Sequence, residues 1–555
     1  MNIHPFRHKR RLALAASALA LATVTALSGC AAGSSTDASA TGGTDTATPV
    51  AGGTLKLAFW DDQQGCIDPN QVYWIESRSI DRQIADSLTD QDPNTGKIVP
   101  WLATSWTAND NATQFTFTLR DGVTFSDGEK FDATAVKTAY DATYALGAKS
   151  LLGVSYLAGY DSTTVIDPTH VQVNFKTPNS AFLQATSTTT LAILAPATYQ
   201  QTPEARCAGN IIGSGAFTLD NYTAAKSAHL TKRTGYAWAS SLVKNQGDAY
   251  LDAIDVTYIK EDSVRNGELT SGQIDIAWPR LPISDADQQV LKAAGDTIQS
   301  RALPGISYVL TSNVTAGHPL SDTLVRQALQ KSIDRGTYAS TIFWGDYPVV
   351  KSPVESTTPF AADESSLLAF DPTGAKALLD QAGWTVGSDG YRYKDGQKLT
   401  LSEPLTTSGA GDQLLQDQLK QVGIDLELEV VTTAQYTQKT GAGDYDLVGT
   451  YYTRADPSVL GSVFDQALTK APTAVNSQDA ATAAIVSADF AKGLQTTDDT
   501  ARAAAYSDLQ KTLITEGVTF PVYERLQLAG VSPKVHGFAF TSEGFLRAND
   551  IWLEQ

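Results

Sequence analysis

The chain has 555 residues, 41 of them basic and 60 acidic, for a net charge of −19 with neutral histidines. This length predicts more than one domain, and the acidic balance argues against a nucleic-acid partner, whose phosphates call for a basic face. The charge does not restrict a small ligand, because solvated acidic faces are common on exported proteins and a pocket carries its own local field.

The amino-terminal segment reads as an export signal. Charges ending in "HKRR" precede an apolar run over residues 12–27, the n-region and h-region order of a secretory leader. The run is shorter than the ~20 apolar residues of a bilayer span. Its end, Leu27-Ser28-Gly29-Cys30, resembles the lipobox of bacterial lipoproteins. That resemblance implies a signal peptide over residues 1–29 and a diacylglyceryl group on Cys30, with an ordinary leader and a chance cysteine as the alternative. Residues 30–53, rich in Ser, Thr, Gly and Ala, bury too little apolar surface to offset their ordering entropy and predict a flexible tether. The leader holds four of the basic residues and no acid, so the processed chain carries −23. No later run is long enough to cross a membrane, so the body is expected to be soluble. The attachment is expected through lipid only, on the outer face of the cell membrane.

Cys66 and Cys207 are the remaining cysteines. An exported chain can keep a disulfide, and no CxxC or neighbouring His supplies the four ligands of a zinc site. The favoured reading is a disulfide, the alternative two free buried thiols. The histidines of the processed chain, His170, His229, His318 and His536, are dispersed, so no dedicated soft-metal site and no cofactor are expected. A metal inside a chelating ligand would need few protein donors.

Along the chain the hydrophobic period alternates between strand and helix. "QFTFTLR" puts Phe115, Phe117 and Leu119 on one strand face. In "LRDGVTFSDGEKFDATAVKTAYD", Asp127-Gly128 reads as a tight turn, Val123 and Phe125 as core, and residues 133–144 as a helix. Ser126 and Asp127 therefore lack a catalytic partner. "SDTLVRQALQKSIDR" is a helix with Val325, Leu329 and Ile333 at four-residue spacing and Ser321 or Asp322 as its cap. In "DPTGAKALLDQAGW", Asp371 caps, Pro372 takes the first position and Gly383 ends the helix. "GDQLLQDQLKQVGIDLELEVV" is a helix stopped at Gly423, followed by a strand with Ile424, Leu426, Leu428 and Val430 inward, which is half of a βαβ unit.

In order, "PWLATSWTANDNATQFTFTLRDGVTFSDGEKFDATAVKTAYD", "GSGAFTL", "VRQALQKSIDR", "DPTGAKALLDQAGW", "LKQVGIDLEL" and "YDLVG" resemble the extracellular solute-binding proteins of family 5, the dipeptide and oligopeptide group of ABC transporter receptors. Ser126 stands where many members have His, a departure confined to a surface turn. The resemblance implies an α/β, two-lobed periplasmic-binding-protein-like fold (type II, cluster C) with an extra inserted small domain. The first lobe would take residues 54–85, 208–311 and 521–555, the insert 86–207 and the second lobe 312–520. On this mapping Cys66 and Cys207 lie near the two ends of the insert, which supports their pairing.

No G-x-S-x-G, H-E-x-x-H or G-x-x-x-x-G-K-[ST] is present. Ser241 and Lys244 form an isolated S-x-x-K without companion motifs, and "DQDPNTG" lacks the Gly and Glu of a calcium loop. No enzyme activity is expected. The resemblance implies a monomeric receptor that captures a peptide or other small polar solute between its lobes and closes for an ABC permease and its ATPase. A ligand-sensing or adhesive surface lipoprotein, or a receptor for an oligosaccharide or chelated metal, is the alternative. Its candidate cleft residues sit at strand ends: Trp60, Trp278, Trp344, Tyr451, Tyr452, Arg454 and Asp456. Arg454 would meet an anionic group and Asp456 a cationic or hydroxyl group. The competing role of each Trp is packing, and that of Arg454 and Asp456 a local salt bridge beside Pro457.

Overall fold

The computed structural model describes residues 48–469 and 471–554; the expected leader, Cys30 and most of the tether lie outside them. Its largest sheet has seven strands in the order Thr297–Ala302, Leu526–Val531, Ile276–Trp278, Thr54–Phe59, Ala253–Tyr258, Ser227–Lys232 and Phe217–Thr223. Thr54–Phe59 runs parallel to the neighbours on both sides, with Phe59 in register with Tyr258 and Trp278. Side chains in register on adjacent strands share a face. Phe59 accordingly packs 6.5 Å from Tyr258 and 5.6 Å from Trp278 between ring centroids.

Ala103–Ala108 and Gln114–Leu119 join Tyr160–Asp167 and His170–Phe175 in a separate four-stranded antiparallel sheet. Its strand Gln114–Leu119 buries Phe115, Phe117 and Leu119 as the alternation predicts. Gly128 takes the turn with φ +90°, and Asp132 caps the helix Ala133–Ala145 by accepting the N–H groups of Thr134 and Ala135. This sheet and the seven-stranded sheet share one hydrophobic core. They approach where "GSGAF" passes the end of the helix Ile75–Ile84. The Gly215 N–H donates to the Ile84 carbonyl at 2.8 Å, and a Cβ on Gly215 would collide with that backbone, so only glycine fits. Cys66 and Cys207 form a disulfide with Cα atoms 4.2 Å apart. Beside it Ile67 donates to the Cys207 carbonyl and Arg206 pairs with the buried Asp68.

The second lobe is organised on a three-stranded antiparallel sheet, Leu447–Thr453, Gly305–Ser312 and Thr519–Tyr523. A βαβ unit flanks it: Thr400–Leu405 and Asp425–Val430 pair in parallel across the helix Ala410–Lys420. Asp322 and Asp371 cap their helices, accepting from Leu324 and Gly374. Two further cores fill this lobe. Among the described residues no helix is long and apolar enough to cross a membrane.

Two short passages join the large sheet to the three-stranded one. Leu303 and Pro304 separate Thr297–Ala302 from Gly305–Ser312, and Glu524 and Arg525 separate Thr519–Tyr523 from Leu526–Val531. They lie side by side, the Leu303 N–H donating to the Arg525 carbonyl at 3.0 Å. Gly305, at φ +119°, lets the backbone of Tyr452 pass where a Cβ would collide.

Candidate functional site

A cavity of about 620 Å³ opens between the lobes, with the two joining passages contributing Leu303 and Arg525 to its lining. Trp60 and Arg280 enter it because both leave the carboxyl ends of adjacent parallel strands, the usual position of a ligand site in an open α/β sheet. Tyr73 and Trp74 join them from the turn before the helix Ile75–Ile84, and Tyr451 and Tyr452 come from the strand end of the opposite lobe. An aromatic stack backs that side: Phe343 lies 4.1 Å from Tyr347 and 4.9 Å from Tyr523, which stacks on Tyr308 at 4.7 Å. Broad apolar faces with few polar groups suit an organic solute.

Three charged side chains line the cavity. Glu76 accepts the Trp60 indole N–H at 2.6 Å. Burial pushes its carboxyl above the usual range, against the pull of that bond and of Arg280. Arg525 pairs with Glu355 at 2.7 Å and donates to Thr453 Oγ1 and the Tyr452 carbonyl. Arg280 lies over Trp60 and Trp74, its Cζ 4.7 and 5.3 Å from their ring centroids.

Of the residues expected from sequence, Trp60, Tyr451 and Tyr452 line this cavity. The other four do not. Trp278 is fully buried, packed on Phe59, Phe538 and Phe540, because it alternates inward with Ile276. Trp344 is 46 % exposed in a left-handed turn while its neighbour Phe343 faces the cavity. Arg454 is buried, donating to Ser155 Oγ at 3.0 Å and lying over the Tyr156 ring. Asp456 pairs with Arg502 at 2.8 Å. Burial works to raise its pKa, but Arg502, with help from Arg454 and the Ser458 N–H, leaves it below the usual carboxylate value. Arg454 and Asp456 are thus engaged in polar contacts between elements, with Ser155 and Arg502, and do not line this cavity. Sequence reading missed Tyr73, Trp74, Glu76, Arg280 and Arg525. The signals available were the aromatic pair opening "YWIES" and a cation two residues beyond an inward strand residue.

The protein-family model described as "Bacterial extracellular solute-binding proteins, family 5 Middle" matches residues 97–471. The chain is 25 % identical over 442 residues to the nickel-binding periplasmic protein of Escherichia coli K12, covering 77 % of this chain and 81 % of that one. The crystal structure of NikA from Brucella suis in complex with Fe(III)-EDTA superposes with a TM-score of 0.75 at 23 % identity, over 90 % of this chain and all of that one. DppA from Helicobacter pylori in complex with the peptide STSA gives 0.69 at 23 % identity, over 91 % and 99 %. With the match across most of the folded body and the two-lobed fold in common, the chain belongs to the bacterial extracellular solute-binding proteins of family 5.

Proposed function

We propose that the protein is the receptor of an ABC importer, capturing a polar organic solute between its lobes and presenting it to the permease by hinge closure. The observation that carries this reading is the cavity walled by both lobes, with the adjoining passages between them at its edge. A ligand touching both walls stabilises the closed arrangement, and the shift is set by its preference for that state. Aromatic faces on both sides fit a peptide-like solute or an organic chelate, the two kinds of ligand found in the NikA and DppA complexes. The reading includes no enzyme activity. It takes residues 54–85, 208–311 and 521–555 as the first lobe, 86–207 as its insert and 312–520 as the second lobe. The shared core supports grouping the insert with the first lobe, while the pairing of Gly305–Ser312 and Thr519–Tyr523 in the second-lobe sheet favours lobe boundaries at the passages 303–304 and 524–525 over those at 311 and 521.

Export and a lipid anchor on Cys30 belong to the same proposal, supported by the leader and the "LSGC" sequence. Cys30→Ala should release the protein from membranes or block its processing; unchanged membrane association would reject the anchor. For the receptor role, processed protein purified natively from culture is expected to release a small solute detectable by mass spectrometry. Adding that solute back to stripped protein should reduce the radius of gyration in solution scattering. A protein that retains no solute and never compacts is not a receptor of this kind.

A further inference from the structure

Arg280 differs from the other charges on the cleft wall. Glu76 is bonded to Trp60 and Arg525 is paired with Glu355, whereas Arg280 is exposed and has no carboxylate within ion-pair distance among the described residues. Among the described residues its one hydrogen-bond contact is a long one, Nη2 to the Tyr451 hydroxyl at 3.4 Å. The guanidinium is nonetheless held in place. Its face rests on Trp60 and Trp74, a cation–π arrangement that orients it. Trp60 is itself oriented by Glu76. The backbone beside Arg280 is fixed by Gln527, whose Nε2 donates to the Pro279 carbonyl at 3.3 Å.

Stacking uses the faces of the guanidinium and leaves its in-plane N–H donors for another partner. A rigid fork of this kind matches a planar anion with two oxygens, and its attraction strengthens where protein walls exclude water. Tyr451 belongs to the opposite lobe, so an anion on Arg280 sits where both lobes meet. We propose that Arg280 is the anion anchor of the cleft and that the solute carries a carboxylate bound by paired N–H donors, with the rest of the molecule along the aromatic wall. This rests on the receptor reading above. A cavity of about 620 Å³ admits either a short peptide or a chelate with carboxylate arms.

The test is equilibrium dialysis of processed protein, with retained species quantified by mass spectrometry. The probes are a casein digest fractionated to short peptides, the same digest methyl-esterified, an EDTA–metal chelate, and its analogue with amide arms. Wild type is expected to retain members of the peptide or the chelate set, and esterification or amidation to cut retention about tenfold or more. Arg280→Gln should lose that preference for acid over neutral form at unchanged thermal stability, and Arg280→Lys should restore part of it. The proposal is overturned if wild type is blind to esterification and amidation, or if Arg280→Gln keeps the acid preference. It also falls if wild type retains neither set while still compacting around its co-purified solute. Failure to bind any solute would instead overturn the receptor reading itself.

Discussion

Glu403 is a carboxyl with almost no exposed surface, in the strand Thr400–Leu405. Burial, and then the charge of Asp412, push it up to about 8. Tyr308, Tyr338 and Tyr436 also face it, and among the described residues no cation compensates. An unfolded glutamate titrates near ~4.3, so between that pH and about 8 the folded state holds a proton that the unfolded state has released. Stability is therefore expected to fall as pH rises through this window, by on the order of a few kcal/mol from this group. Asp86, pushed by burial to about 6, adds to the lower part of the same slope. Thermal midpoints measured at about pH 5 and pH 8 check it: wild type should melt higher at the acid end, and Glu403→Gln should shrink the difference. If the variant melts with the same pH slope as wild type, Glu403 is ionised in the fold. The same scale shows why single residues were harder to read than patterns. Trp60 and Trp278 both close apolar strand segments, and only the register of Phe59 with Trp278 reveals that one faces the core and the other the cleft.

Asp456 acts between elements, tying the turn after the strand Leu447–Thr453 to the helix Asp499–Thr515 through Arg502. Asp456→Ala would leave a nearly buried guanidinium without its partner, at a cost of about 3–5 kcal/mol. Urea unfolding should show that loss, and calorimetry should show solute affinity unchanged in the folded protein. A large fall in affinity without loss of stability would return Asp456 to the binding site. Elements themselves were legible from sequence wherever local chemistry fixes them: the caps Asp322 and Asp371, Pro372 and the turn at Gly128 all stand where predicted. The strand "IDLELEVV" departs at its end, since Ile424 and Leu426 are fully buried but Val430 is 61 % exposed. Alternation sets which face a side chain takes, but how far the core extends beneath that face depends on packing from distant segments. The arginine contacts failed for the same reason. Ser155, 299 residues from Arg454 in sequence, leaves no trace in the spacing around "TRADP".

At the scale of the whole molecule, closure is governed by contacts that exist only when the lobes meet. Ser155 and Ser180 flank residues of the first core, including Tyr156 and Phe182. They reach elements of the second lobe: Ser155 accepts from Arg454 at 3.0 Å and lies 3.2 Å from Ser462 Oγ, and the Ser180 hydroxyl donates to the Gly493 carbonyl at 2.9 Å. In an open arrangement water would satisfy each of these groups, so losing one partner costs little there. In the closed arrangement the same loss leaves Arg454 Nη1 with only its 3.4 Å contact to Ser462 Oγ, or the Gly493 carbonyl with only the 3.4 Å bond from Arg502 Nε, a penalty of about 0.5–1.5 kcal/mol each. Ser155→Ala and Ser180→Ala should therefore bias the unliganded protein toward open forms while leaving each lobe intact. Because the solute must draw on a smaller closed population, its apparent affinity should fall about 2- to 10-fold per substitution. The co-purified solute supplies the calorimetric titration, and solution scattering reports the unliganded radius of gyration. A raised dissociation constant with a larger unliganded radius and an unchanged denaturation midpoint would assign these serines to closure. Unaltered affinity in the double variant would mean that the solute alone holds the lobes together.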